Sequence, residues 1–168
     1  MMESNKEFHT VRGYEILKKG KKNLTPSMED YLEMIYRSCS TEGYVRINQL
    51  AEQLNVKASS ASKVVQKLAQ MGYLAYEKYG IIQMTQKGTI LGSFLLNRHK
   101  TVENFLINLG VKDTVLVDTE MIEHHISMDT LEKIERLNDF LDANPEIAEK
   151  LRQFDKNCNS KDNDSEKS

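Results

Sequence analysis

The sequence predicts a mainly α-helical chain in two parts: three helices closed by a small hairpin, then an all-helical part. Three observations predict it. Apolar residues recur at helical spacing over most of residues 25–154. Two short extended pieces, Leu74–Tyr76 and Ile81–Met84, flank a Tyr79-Gly80 turn and read as a hairpin. Charge is divided along the chain: residues 41–100 hold eight Lys/Arg against three Asp/Glu, and residues 101–168 hold eight against sixteen. A basic middle suits a polyanion, and the acidic end suits another task.

The elements follow in order. Residues 1–23 are polar, carry the basic KKGKK run (Lys18 to Lys22) and read as a flexible extension. Thr25 or Ser27 caps the first helix, with Pro26 in its first turn and Glu29 and Asp30 at the positive end of its dipole. Tyr31 and Ile35, flanked by Met28 and Met34, give it helical spacing, and it ends near Ser40. Ile47, Leu50, Ala51 and Leu54 form a short helix; Asn55 suits a left-handed turn, which Val56 plugs. Ser59 or Ser60 caps the next helix, which runs to Met71 with Val64, Val65 and Leu68 inward. After the hairpin a long helix runs from Thr85 to about Asn108 and stops at Gly110, at roughly 36 Å more than one small domain needs. Val115–His125 and Met128–Leu141 are further helices, and Pro145 opens a last one to about Phe154. Residues 155–168 read as a disordered tail. The expected domains are 24–92, closed by the hairpin, and 93–154, all helical.

Composition restricts the class. With 168 residues, 39% hydrophobic and 29% charged, the chain has a globular balance and room for two small domains. No apolar run reaches the ~18 residues of a membrane helix. The N-terminus lacks the apolar stretch of a secretory signal. The expected compartment is the cytoplasm, with no membrane partner. Cys39 and Cys158 stand far apart, which argues against a thiolate zinc site or a disulfide framework.

Residues 46–71 have the layout of a helix-turn-helix: a short helix, a tight turn, and a second helix with a polar face. That face offers Lys57, Ser59, Ser60, Ser62, Lys63, Gln66 and Lys67. Short polar groups near the helix tip suit base edges, and flanking lysines suit phosphates. Tyr76, Lys78 and Tyr79 would make the hairpin a backbone-touching wing. The first domain is thus expected to be a winged helix-turn-helix bound to double-stranded DNA.

A second constellation suits a metal. Asp30 and Glu33 are i,i+3 on the first helix; Glu120, Glu123 and His124 are i, i+3 and i+4 on a later one; His99 lies in the long helix. Hard divalent ions such as Mn²⁺ and Fe²⁺ take oxygen ligands with one or two imidazoles. Glu103, one turn after His99, is placed to support it, and His125 points about 100° from His124. The same patterns also arise on solvated helix faces, and a hydrolytic metalloenzyme would use similar residues. Neither H-E-x-x-H nor paired E-x-x-H occurs, which counts against a zinc protease or a ferritin-like di-iron enzyme.

These stretches together resemble the diphtheria toxin repressor family, within it the manganese transport regulator branch. The resemblance rests on TPSMEDYLEMIY (25–36), ASSASKVVQKL (58–68), YLAYEKYG (73–80), MTQKG (84–88), NRHKTVENFL (97–106) and IEHHIS (122–127), and spans about residues 24–154. It implies a homodimeric repressor, not an enzyme. Such a repressor binds Mn²⁺, then a palindromic operator, and shuts off metal uptake genes. It implies Asp30, Glu33, His99, Glu120, Glu123 and His124 as ligands, two ions per subunit, and Fe²⁺, Co²⁺, Zn²⁺ or Cd²⁺ as substitutes. Iron-responsive relatives have Met and Cys where this chain has Asp30 and Glu120, which favours manganese. No small-molecule substrate other than metal ions is expected, and the helices from about Val115 to Leu141 would make the dimer.

Overall fold

The structure, a computed structural model, describes residues 12–19 and 24–154, and of Lys78 the backbone alone. The expected tail 155–168 with Cys158, the rest of the N-terminal extension, and Lys78 as a wing contact therefore lie outside the described residues. The chain divides into two compact units, one ending at Asn97 and the other starting at Arg98.

In the first unit, helix α1 (12–19) departs from the expected flexible extension. It docks because Leu17 is buried, Tyr14 meets Phe94, and Gly13 leaves no room for a side chain: a Cβ there would stand 2.4 Å from that of Phe94. Helix α2 (Pro26–Glu42) starts at Thr25, whose hydroxyl accepts from the Met28 amide at 3.3 Å, and ends two residues later than expected. Its stop is Gly43, in the left-handed conformation, donating to the Cys39 carbonyl.

Helices α3 (Ile47–Gln53) and α4 (Ala58–Gln70) meet at a turn where Asn55 takes φ 52°. Two main-chain bonds hold the turn, Asn55 to Glu52 and Val56 to Ala51. No apolar plug is required, and Val56 is 39% exposed rather than buried in the turn. Neither Ser59 nor Ser60 caps α4. Lys57 takes the cap position, its carbonyl receiving the Ser60 and Ala61 amides, so both serine hydroxyls stay on the exposed face.

Strands β2 (Leu74–Tyr76) and β3 (Ile81–Met84) form the expected hairpin, joined by a single tight turn over Lys78–Gly80. A two-residue strand the sequence did not announce, β1 (Val45–Arg46), pairs with β3 and gives an antiparallel sheet in the order β1-β3-β2. Gly80 takes φ 74°, and a Cβ there would lie 2.7 Å from Ile47 Cγ2. Tyr79 stands beside it, 91% exposed, at the tip of the wing. The core beneath is Leu32, Ile35, Val45, Leu50, Val65, Leu68, Tyr73, Ile82, Leu91 and Leu95, all buried.

Helix α5 (Gln86–Asn108) carries the division between the units. In the second unit it is followed by α6 (Val115–Glu123), α7 (Met128–Ala143) and α8 (145–154). Ser127 caps α7, accepting from the Thr130 amide. Val102, Leu106, Leu131 and Leu141 are buried, and Asn138 fixes α7 on α5. Its Nδ2 donates to the Thr101 carbonyl at 2.9 Å, and its Oδ1 accepts from Asn108 at 3.1 Å. Leu116, Val117, Met121, Leu137 and Phe140 keep apolar surface exposed. Among the described residues no helix is long and apolar enough to cross a membrane.

Candidate metal centre and DNA-reading surface

The second unit gathers four of the six expected ligands. His99 comes from α5; Glu120 and Glu123 come from α6; His124 is the residue on which α6 ends. The i, i+3, i+4 spacing puts the last three on one helix face, and each offers a ligand atom within 4.8 Å of the others. His99 Nδ1 lies 3.3 Å from Glu123 Oε2 and 3.9 Å from Glu120 Oε1. His124 Nε2 lies 3.7 Å from Glu123 Oε1 and 4.0 Å from Glu120 Oε2.

Glu123 is the centre of this arrangement. Its side chain is 1% exposed, whereas that of Glu120 is 53% exposed. A carboxylate withdrawn so far from water is costly unless cations or donors surround it. Glu123 Oε2 accepts no hydrogen bond among the described residues. Two carboxylates and two imidazoles make a hard, mixed oxygen–nitrogen donor set that fits a divalent transition ion. Sequence reasoning missed one member of the cluster, Arg98: its Nε lies 3.9 Å from Glu123 Oε2, and its Nη2 lies 3.2 Å from His124 Nδ1. Its signal was adjacency to His99 in the N-R-H-K run, and an arginine in that context reads as ordinary surface charge.

Asp30 and Glu33 belong to the first unit, one turn apart on α2. Glu33 is buried and accepts from Arg37 Nε at 3.0 Å; Asp30 is partly exposed. His125 is exposed, with Nδ1 3.2 Å from the Met121 carbonyl oxygen. Burial pushes the Cys39 thiol up, so it is not held as a thiolate.

On the DNA-reading side, Lys57, Ser59, Ser60, Lys63, Gln66 and Lys67 all lie on the exposed face of α4 or at its start. Ser62 differs. Its hydroxyl is 3.2 Å from the Tyr76 hydroxyl on β2, so it ties α4 to the wing. Gln66 reaches back to Ser62 at 3.5 Å.

Comparison with known proteins identifies the two domains. Residues 23–82 match the family described as "Iron dependent repressor, N-terminal DNA binding domain", and residues 85–152 match "Iron dependent repressor, metal binding and dimerisation domain". The HTH-type transcriptional regulator MntR of Lysinibacillus sphaericus is 44% identical over 76% of this chain and 92% of its own length. That of Shouchella clausii is also 44% identical, over 79% and 93%. Among solved structures, the manganese regulator SloR aligns with a TM-score of 0.61 and 31% identity, over 70% of this chain. The metal-dependent transcriptional regulator MtsR aligns with 0.62 and 29%, over the same share. This chain spans only 55% of those two structures. Both halves of the family are matched in order from residue 23 to residue 152, and whole-length relatives share more than two-fifths of their residues with it; the chain therefore belongs to the iron-dependent repressor family, DNA-binding transcriptional repressors that answer to a metal ion.

Proposed function

We propose that this chain is a manganese-responsive repressor that, loaded with Mn²⁺, binds a palindromic operator as a homodimer and shuts off genes for metal uptake in the cytoplasm. The observation that carries the reading is the buried carboxylate of Glu123, with His99, Glu120 and His124 around it. Asp30 and Glu33 complete the ligand set. Six donors with four carboxylates suit two ions per subunit, because the negative charges offset the repulsion between the cations. Oxygen at Asp30 and Glu120 suits Mn²⁺, which gains little from sulfur. Fe²⁺, Co²⁺, Zn²⁺ and Cd²⁺ are substitutes. Zn²⁺ binds such sites more tightly by the Irving–Williams order, so tight binding alone does not identify the effector. SloR, a manganese regulator, and MtsR, a metal-dependent transcriptional regulator, are similar to this chain and point the same way.

The residues divide the work between domains 24–92 and 93–154. Ser59, Ser60 and Gln66 would meet base edges; Lys57, Lys63, Lys67, Lys78 and Tyr79 would meet the DNA backbone, and Ser62 steadies the wing. The metal supplies positive charge that both domains can share. Asp30 and Glu33 sit on α2, next to the DNA-reading helices; His99, Glu120, Glu123 and His124 sit in the dimerisation domain. Joining the two groups favours the DNA-ready arrangement by as much as its affinity for the effector exceeds that of the others. Operator-binding titrations with Mn²⁺, Fe²⁺, Zn²⁺ and no metal test the reading. Mn²⁺ is expected to raise operator affinity at least tenfold over the metal-free protein; equal affinity in all four conditions overturns it.

A further inference from the structure

We propose that Arg98 is a resident counter-ion of the metal centre, which incoming metal must displace, so that it sets the metal concentration at which the site fills. The proposal rests on the reading of the cluster as a metal centre and concerns a positioning residue inside it. Arg98 is 4% exposed, and its guanidinium carries charge at every ordinary pH. It lies against two candidate ligands at once, 3.9 Å from Glu123 Oε2 and 3.2 Å from His124 Nδ1.

Hydrogen-bond chemistry makes the contact with His124 informative. Arginine only donates, so His124 Nδ1 must accept, and a neutral ring then carries its proton on Nε2. That nitrogen is the one facing the carboxylates of Glu123 and Glu120, at 3.7 and 4.0 Å. In this arrangement His124 has no lone pair to give: Arg98 uses the one on Nδ1, and a proton occupies Nε2. Ligation through Nδ1 requires Arg98 to withdraw. Ligation through Nε2 requires the proton to pass to Nδ1, opposite a group that cannot accept it. Either route breaks the Arg98–His124 bond.

Electrostatics acts in the same direction. A fixed positive charge beside Glu123 compensates the buried carboxylate while the site is empty of cations, and opposes a divalent ion when one arrives. The residue that stabilises the metal-free cluster therefore weakens metal binding. This keeps the repressor unloaded until the ion is abundant.

The experiment is a Mn²⁺ titration of the full-length protein, reading free Mn²⁺ by electron paramagnetic resonance, for wild type and Arg98→Gln. Removing one unit charge at contact distance is expected to tighten binding about tenfold. Wild type that binds Mn²⁺ with Arg98→Gln equal or weaker overturns the Arg98 proposal alone; wild type that takes up no Mn²⁺ overturns the functional reading as well. A second measurement needs no variant and holds if Arg98→Gln fails to fold. In the metal-free wild type, long-range ¹H–¹⁵N spectra are expected to report His124 with Nδ1 unprotonated and Nε2 protonated. A protonated Nδ1 overturns the proposal.

Discussion

At the scale of single residues, Asp30 and Glu123 separate two jobs a carboxylate can do. Asp30 is partly exposed on α2 and offers a hard oxygen; the family resemblance implies a sulfur ligand there in iron-responsive relatives. Asp30→Met is therefore expected to lose most of the Mn²⁺ response while keeping the response to Fe²⁺ or Co²⁺, read as operator binding against metal concentration. Glu123 stands among His99, His124 and Arg98, and every activating metal is expected to depend on it. Its variant must be chosen with Arg98 in mind. From sequence alone, removing a carboxylate relieves repulsion among acids and leaves the apo fold intact. In the structure, Glu123→Ala removes a carboxylate that lies 3.9 Å from the buried Arg98 guanidinium, and breaking such a buried pair costs about 3–5 kcal/mol. Glu123→Gln keeps a polar partner for Arg98, and is expected to abolish activation by all metals with a smaller loss of thermal stability. The i, i+3, i+4 carboxylates and histidine were legible because helix periodicity alone brings them to one face. Arg98 was not, because its burial depends on how α6 lies against α5.

At the scale of elements, α4 and the wing are the proposed DNA contacts, and their contributions are expected to separate by salt. Lys63→Ala or Lys67→Ala is expected to weaken binding to all sequences and to reduce the salt slope by about one ion-release unit, measured by titrations at several salt concentrations. Ser59→Ala or Ser60→Ala is expected to change sequence preference instead, because these hydroxyls are exposed near the helix tip. Ser62 joins neither group, since its partner is Tyr76. In the second unit, Asn138→Ala removes two hydrogen bonds from a buried position, and is expected to lower stability by about 1–3 kcal/mol in urea unfolding. Most element bounds were readable from apolar periodicity and from Asn55, Gly110 and Pro145. The strand β1 was not readable, because two residues carry no period and only pairing with β3 defines them. Helix α1 was hidden for a similar reason: its apolar residues are few, and only docking against Phe94 gives them a place.

At the scale of the whole molecule, the chain joins a domain that reads DNA to one that holds metal and pairs with a second copy. Leu116, Val117 and Met121 keep apolar surface of α6 exposed, while Thr119 and Glu123 are buried. Assembly driven by apolar surface does not need the ion, so the protein is expected to sediment as a dimer with or without Mn²⁺ at micromolar concentration. Metal then acts on the arrangement of an existing dimer, whose two recognition helices must sit about 34 Å apart to meet one face of the duplex.

A repressor that couples metal to operator couples them reciprocally. The most direct measurement is Mn²⁺ affinity with and without saturating operator DNA, set beside operator affinity with and without saturating Mn²⁺. Coupling through one protein requires both to tighten by the same factor. Mn²⁺ affinity that is identical in the presence and absence of operator would contradict it.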